Sequence, residues 1–173
     1  YENSLQIIRG ITLGTTEEIA ALDATITNLA SNTRVGMGAA AGAAGELARA
    51  GIDLKDQVDG ALEAVVNLTI ASAGELGLER AAVLTGTARK AFGLQGKDAA
   101  SVVNAITVAA QNSAITFVDL QRSFQQAAPV ASLLGLTVED LASAIGVLGE
   151  QGIRGSDAGT ALKQTFQQLI KPS

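Results

Sequence analysis

Residues 127–173 read AAPVASLLGLTVEDLASAIGVLGEQGIRGSDAGTALKQTFQQLIKPS, and this stretch decides the fold. Thr137 with Asp140 has capping-box spacing, which marks a helix start. Gly135-Leu136 and Gly152-Ile153 each place an aliphatic residue after a glycine, as at a helix end whose left-handed glycine lets the next apolar side chain fold back. Between these signals Val138, Leu141, Ile145 and Leu148 recur at helical spacing, as do Leu162, Phe166, Leu169 and Ile170 further on.

The same punctuation extends backwards. Gly10-Ile11, Gly51-Ile52, Gly77-Leu78 and Gly93-Leu94 repeat the stop pattern. Thr15 with Glu18 and Thr116 with Asp119 repeat the start pattern, and Asp53 and Ser156 are further N-cap candidates. Helical periodicity runs through segments 16–30, 54–71, 97–111 and 117–134. In the last, Phe117, Leu120, Phe124, Ala127, Ala131 and Leu134 have the spacing of a coiled-coil seam, a surface for a second copy or for the chain's own core. Pro129 is expected to kink or split that helix near Ala127–Ala128, and Pro172 to stop the last one. Alternating strand patterns are absent. The expected fold is all-α, a compact bundle of about seven or eight short helices joined by glycine-capped tight turns.

Composition agrees. The 173 residues are 47% hydrophobic but only 3% aromatic, so alanine, glycine and leucine must build the core. That length suits one domain. Residues 1–173 are read as a single helical domain, with a helical part at 1–50 and a helical-hairpin core at 51–173. The chain begins at Tyr1 without a methionine and stops just after a proline, so it is read as a fragment of a much longer chain.

Chemistry is scarce. There is no cysteine and no histidine, which removes disulfides, thiol catalysis and the commonest acid–base group and metal ligand. No serine and lysine are spaced as a nucleophile and its base. Glu139 and Asp140 are adjacent, so a helix points them apart. Catalytic, cofactor and metal residues are therefore all read as none, and the chain is not expected to be an enzyme. The net charge is −5, with the acidic excess in residues 1–63, so no specific nucleic-acid binding is expected. Asp53, Asp56, Asp59 and Glu63 form an acidic stripe, read as a solvated helix face in preference to a cation site. The Gly/Ala-rich segment 35–45 is read as a small-residue packing face, with Gly38 and Gly42 spaced for close helix approach, in preference to a membrane-active element. Asn67-Leu68-Thr69 matches a glycosylation acceptor but falls inside an expected helix.

One phrase is more specific than any of these: Gly155-Ser156-Asp157-Ala158-Gly159-Thr160-Ala161-Leu162. With Glu46-Leu47-Ala48-Arg49-Ala50-Gly51, Ala91-Phe92-Gly93-Leu94 and Ala109-Ala110-Gln111-Asn112-Ser113, it resembles the core region of bacteriophage tail tape measure proteins. The resemblance implies a structural virion protein that sets tail length, templates tail tube assembly and takes part in genome ejection. It implies the tail lumen or tail tip as location, after synthesis in the host bacterial cytoplasm. The partners implied are tail tube and tail tip proteins and further copies of the chain, three in the first instance or six. Other parts of the parent chain would make any transient host-membrane contact. The alternative is a soluble helical protein-interaction (adaptor) module that receives partner helices in an exposed apolar groove.

Overall fold

The computed structural model describes residues 1–171, and every element among them is helical. α1 (Glu2–Thr12), α2 (Thr16–Asn32) and α3 (Met37–Arg49) form the N-terminal part. α4 (Leu54–Asp56), a π-helical turn (Gln57–Ala61) and α5 (Leu62–Ala71) run on as one rod, kinked at Gly60 where φ is 135°. α6 (Leu78–Phe92) follows, and a 3-10 turn (Gly96–Asp98) leads into α7 (Ala99–Gln111). α8 (Phe117–Leu133), α9 (Val138–Glu150) and α10 (Gly155–Ile170) complete the chain. With the α4–α5 rod taken once, nine helices stand among the described residues, against the seven or eight expected. The expected stop at Pro172 lies outside the described residues.

The starts follow local chemistry. Glu18, Asp119 and Asp140 each donate a backbone N–H to the threonine hydroxyl three residues earlier, at 3.2, 3.0 and 3.1 Å. Each returns a carboxylate oxygen to the threonine N–H, so the shorter aspartate closes the box as glutamate does. Asp53 caps the α4 rod by accepting from the Asp56 N–H at 2.7 Å. A cap of this kind contributes about 1 kcal/mol. Ser156 is not a cap. The chain enters α10 through Arg154 and Gly155, and no side chain caps that end.

Four of the six glycine stops stand. Gly51, Gly93, Gly135 and Gly152 have φ of 80°, 65°, 74° and 83°. The aliphatic residue after each sends its N–H back five residues, as Leu136 does to the Ala131 carbonyl at 3.2 Å. The other two are corrected. Gly10 lies inside α1, which ends at Leu13 in the left-handed region. Gly77 precedes α6 as its N-cap, with extended backbone, so it opens a helix. A glycine–aliphatic pair alone does not distinguish the two ends.

Pro129 neither splits nor ends α8, which runs unbroken from Phe117 to Leu133. Pro129 is exposed, as is Gln125 four residues earlier, so the carbonyl that loses its partner is at the wet face.

A single core runs from Ile8 to Phe166. Leu22, Ile26, Leu47, Leu84, Leu120 and Phe124 are among its fully buried large side chains. Around them the packing is thin-walled. Ala40, Ala41, Ala43, Ala44 and Gly45 of α3 are buried, and α3 packs chiefly on α6 and α1. Gly38, expected to mediate close approach, is exposed, and a Cβ there would meet nothing within 4 Å. The contact is made instead by the alanines and by Gly86 of α6, which sits directly against the Ala50 side chain.

Two substitutions separate the roles of glycine. Gly135→Val should cost more than about 1 kcal/mol, because a β-branched residue resists the left-handed cap. Gly10→Ala should raise stability by up to about 1 kcal/mol, since Gly10 lies in the last turn of α1 with open space around it. Urea unfolding midpoints check both, and equal midpoints for all three proteins would remove the cap from Gly135.

Candidate functional site

The acidic stripe does not assemble a site. Asp53 is consumed as a cap, and Asp59 accepts from Lys55 Nζ at 3.0 Å. That hydrogen bond, with the charge of Asp59 behind it, raises the Lys55 pKa above its ordinary value. The ammonium is fully exposed, so the pair adds little to stability. Asp56 lies against Gly96, and Glu63 is exposed. Among the described residues no group of three or more acidic side chains is arranged to hold a metal ion. No described helix is long and apolar enough to cross a membrane, including the one that carries residues 37–45. Asn67 is exposed but sits mid-helix in α5.

The glycine phrase does assemble something. Gly152 closes α9, and Arg154 Nε donates to the Gly149 carbonyl at 3.4 Å. Gly155 has φ of 57°, which alone favours glycine, and a Cβ there would also stand 3.0 Å from Asp119 Oδ1. Its buried carbonyl accepts from Ser123 Oγ at 2.7 Å. Four residues on, a Cβ on Gly159 would lie 2.9 Å from the Ser123 Cα and carbonyl oxygen and 2.8 Å from Gln126 Cβ. Two backbones therefore touch where α10 crosses α8. Since Gly155 pairs with Asp119 and Arg122, and Gly159 with Ser123 and Gln126, the two helices run in the same direction.

α9 is tied to the same region by its own glycines. Gly146 lies 3.3 Å from Ser113 by its would-be Cβ, and Gly149 faces the Ile115 side chain. Ala158 and Phe166 of α10 are buried, with Leu162 half-buried. The seam on α8 is filled from within the chain. Phe117, Leu120, Phe124, Ala127 and Ala131 are all buried beneath α6, α9 and α10, so they are not a surface for a second copy.

Ser123 donates to the Asp119 and Gly155 carbonyls and meets no base, so it has no route to nucleophilic attack. The chemistry of this junction is positional. Two further ties carry no sequence signal. Arg89 of α6 donates to the Ala50, Gly51 and Leu94 carbonyls at 2.8, 3.1 and 3.2 Å, joining the ends of α3 and α6. Glu75 accepts from the Phe117 N–H at 3.2 Å.

A helical structural module, held by glycine-mediated backbone contact, is the class that this fold and junction define. The chain belongs to the phage-related minor tail protein family, whose pattern matches residues 23–173. It is 28% identical over 173 residues to the "Tape measure protein" of Pneumococcus phage Dp-1, covering 100% of this chain and 15% of that protein. It is 30% identical over 171 residues to the "Probable tape measure protein" of Escherichia phage P2, covering 99% of this chain and 20% of that protein. The chain thus spans no more than a fifth of the relatives it matches. No solved structure matches it.

Gly159→Ala should cost about 1–3 kcal/mol, because the obstacle is backbone and cannot swing aside. Ser123→Ala should cost about 0.5–1.5 kcal/mol through the loss of its buried hydrogen bond to the Gly155 carbonyl. Thr160→Ala, at an exposed position of the same helix, should stay within about 0.5 kcal/mol of the parent. Chemical denaturation of the three variants checks this, and a Gly159→Ala curve that overlays Thr160→Ala would show that the helices are not in backbone contact.

Proposed function

We propose that residues 1–173 form one compact helical unit of a much longer tape measure polypeptide in a phage or prophage tail. The observation that carries this reading is alignment over essentially the whole chain to two tape measure relatives five or more times its length. The unit is a structural island in that polypeptide, and its role is architectural rather than enzymatic. The parent sets tail length, templates tail tube assembly and takes part in genome ejection. It lies in the tail lumen or at the tip, against tube and tip proteins, in a few symmetry-related copies.

The acidic surface supports this placement. A net charge of −5 offers nothing for a phosphate backbone to adhere to during passage. With the α8 seam packed inside the chain, the copy-to-copy contacts of this reading fall to other faces or to flanking segments.

Purified intact tailed particles from the source strain should yield tryptic peptides from Lys97–Lys171, in a polypeptide several times longer than this chain. In-frame shortening of the flanking helical segments should shorten tails in proportion by electron microscopy, whereas deletion of residues 1–173 should abolish assembled tails. Absence of the peptides from particles, or a parent band little larger than this chain, would overturn the reading.

A further inference from the structure

Two hollows open along the seam between α7 and α9. The first, about 340 Å3, has Val108, Ala109, Ala142 and Val147 along its walls and Glu139 and Glu150 among its lining residues. The second, about 380 Å3, is walled by Phe92, Leu94, Val102 and Leu136, with Asp98 and again Glu139. Both have Glu139 among their lining residues, so the two hollows adjoin along this groove between the helices.

Three features give this groove a chemical character. Val108 and Val147 are 46% and 61% exposed, so branched apolar groups are left in water inside it. All three charged residues that line it are acidic, and α7 contributes no charge at all. Among the described residues the ion pairs are Glu46 with Arg49 and Lys55 with Asp59, so neither Glu139 nor Glu150 has one. Asp98 is partly engaged, accepting from the Gln95 N–H at 2.8 Å.

We infer that this groove docks an amphipathic helix of another polypeptide. The helix carries two apolar anchors about two to three turns apart, one per hollow, with Lys or Arg around them. The acids set the sign of the partner. A cationic helix gains from Glu139 and Glu150, exposed carboxylates among the residues that line the groove, and an acidic one is repelled. The same sign argues against a second copy, since each chain carries −5 and would bring more acid to acid. This inference does not depend on the tail reading, and its test involves no particle.

The test uses three synthetic helical peptides in fluorescence anisotropy. Two carry flanking lysines, with anchor leucines spaced by about two or about three turns. The third replaces the lysines by glutamate. Amide shift mapping in the labelled protein locates the contact. At least one lysine peptide should bind and perturb α7 and α9, and the glutamate peptide should not. Val147→Asp, and separately Glu139→Lys with Glu150→Lys, should each weaken binding at least tenfold. These positions are exposed, so circular dichroism melts should show the fold retained. Glu2→Lys with Glu63→Lys makes the same net charge change elsewhere and should leave binding unaltered. Three outcomes overturn the inference: no binding by either lysine peptide up to about 1 mM, equal weakening by the control pair, or sedimentation showing a dimer that Val147→Asp abolishes.

Discussion

Contact between the backbones of α8 and α10 is the constraint on which the C-terminal half depends. Two helices cannot approach this closely if α10 presents a Cβ at the crossing. Gly159 removes it at the point where the Ser123 backbone would be struck. Gly155 removes it one turn earlier and supplies a left-handed entry that an L side chain resists. The single Ser123 proton then joins the buried start of α10 to the interior of α8. Once α10 is seated, α9 has little freedom, because it is tethered at both ends and held by Gly146 and Gly149 against the turn before α8. α8 in turn is buried by α6, so the placement reaches the N-terminal half through α6 and α3.

A core built this way distributes its stability unusually. Burying an alanine methyl removes little apolar area, whereas a leucine contributes about 1.5–3 kcal/mol on full burial. The few fully buried leucines, isoleucines and Phe124 therefore supply much of the hydrophobic driving force. The alanines and glycines act differently: they allow helices to close until many weak dispersion contacts form at once. Enlarging a small residue is then more damaging than its volume suggests, since the added atom meets main chain and not a flexible side chain. In the other half of the molecule a Cβ on Gly86 would strike the Ala50 methyl, which has no rotamer to swing aside.

How far this was legible in the sequence depends on the range of each interaction. Capping boxes are local, three residues wide, and Thr15, Thr116 and Thr137 all fall where their spacing predicts. Left-handed stops are local too, but Gly10 and Gly77 share the wording of Gly135 without its conformation, because tertiary packing chooses between helix interior, start and stop. Pro129 was read by propensity alone, and its burial state, which decides whether the lost hydrogen bond matters, is a tertiary property. Gly38 looked like a packing residue by spacing, yet helix rotation turned it to solvent and placed the alanines inward. Ser123 and Arg89 were invisible, since a serine or arginine in a helix gives no hint of a carbonyl 32 or 39 residues away. The glycine phrase at residues 155–162 was conspicuous as a string, but only the crossing geometry explains why its two glycines stand four apart.

That spacing also separates architecture from chemistry in this chain. In a helix, positions four apart share a face, so Gly155 and Gly159 give one smooth track rather than a polar pocket. Ser123, the buried polar side chain at the crossing, is spent on the Asp119 and Gly155 carbonyls. On its outside the chain leaves exposed valines between α7 and α9, and acids with no ion-pair partner beside them. Gly146 and Gly149 of α9 pack on the side chains of Ser113 and Ile115, in the loop that follows α7, and so tie α9 to the end of that helix.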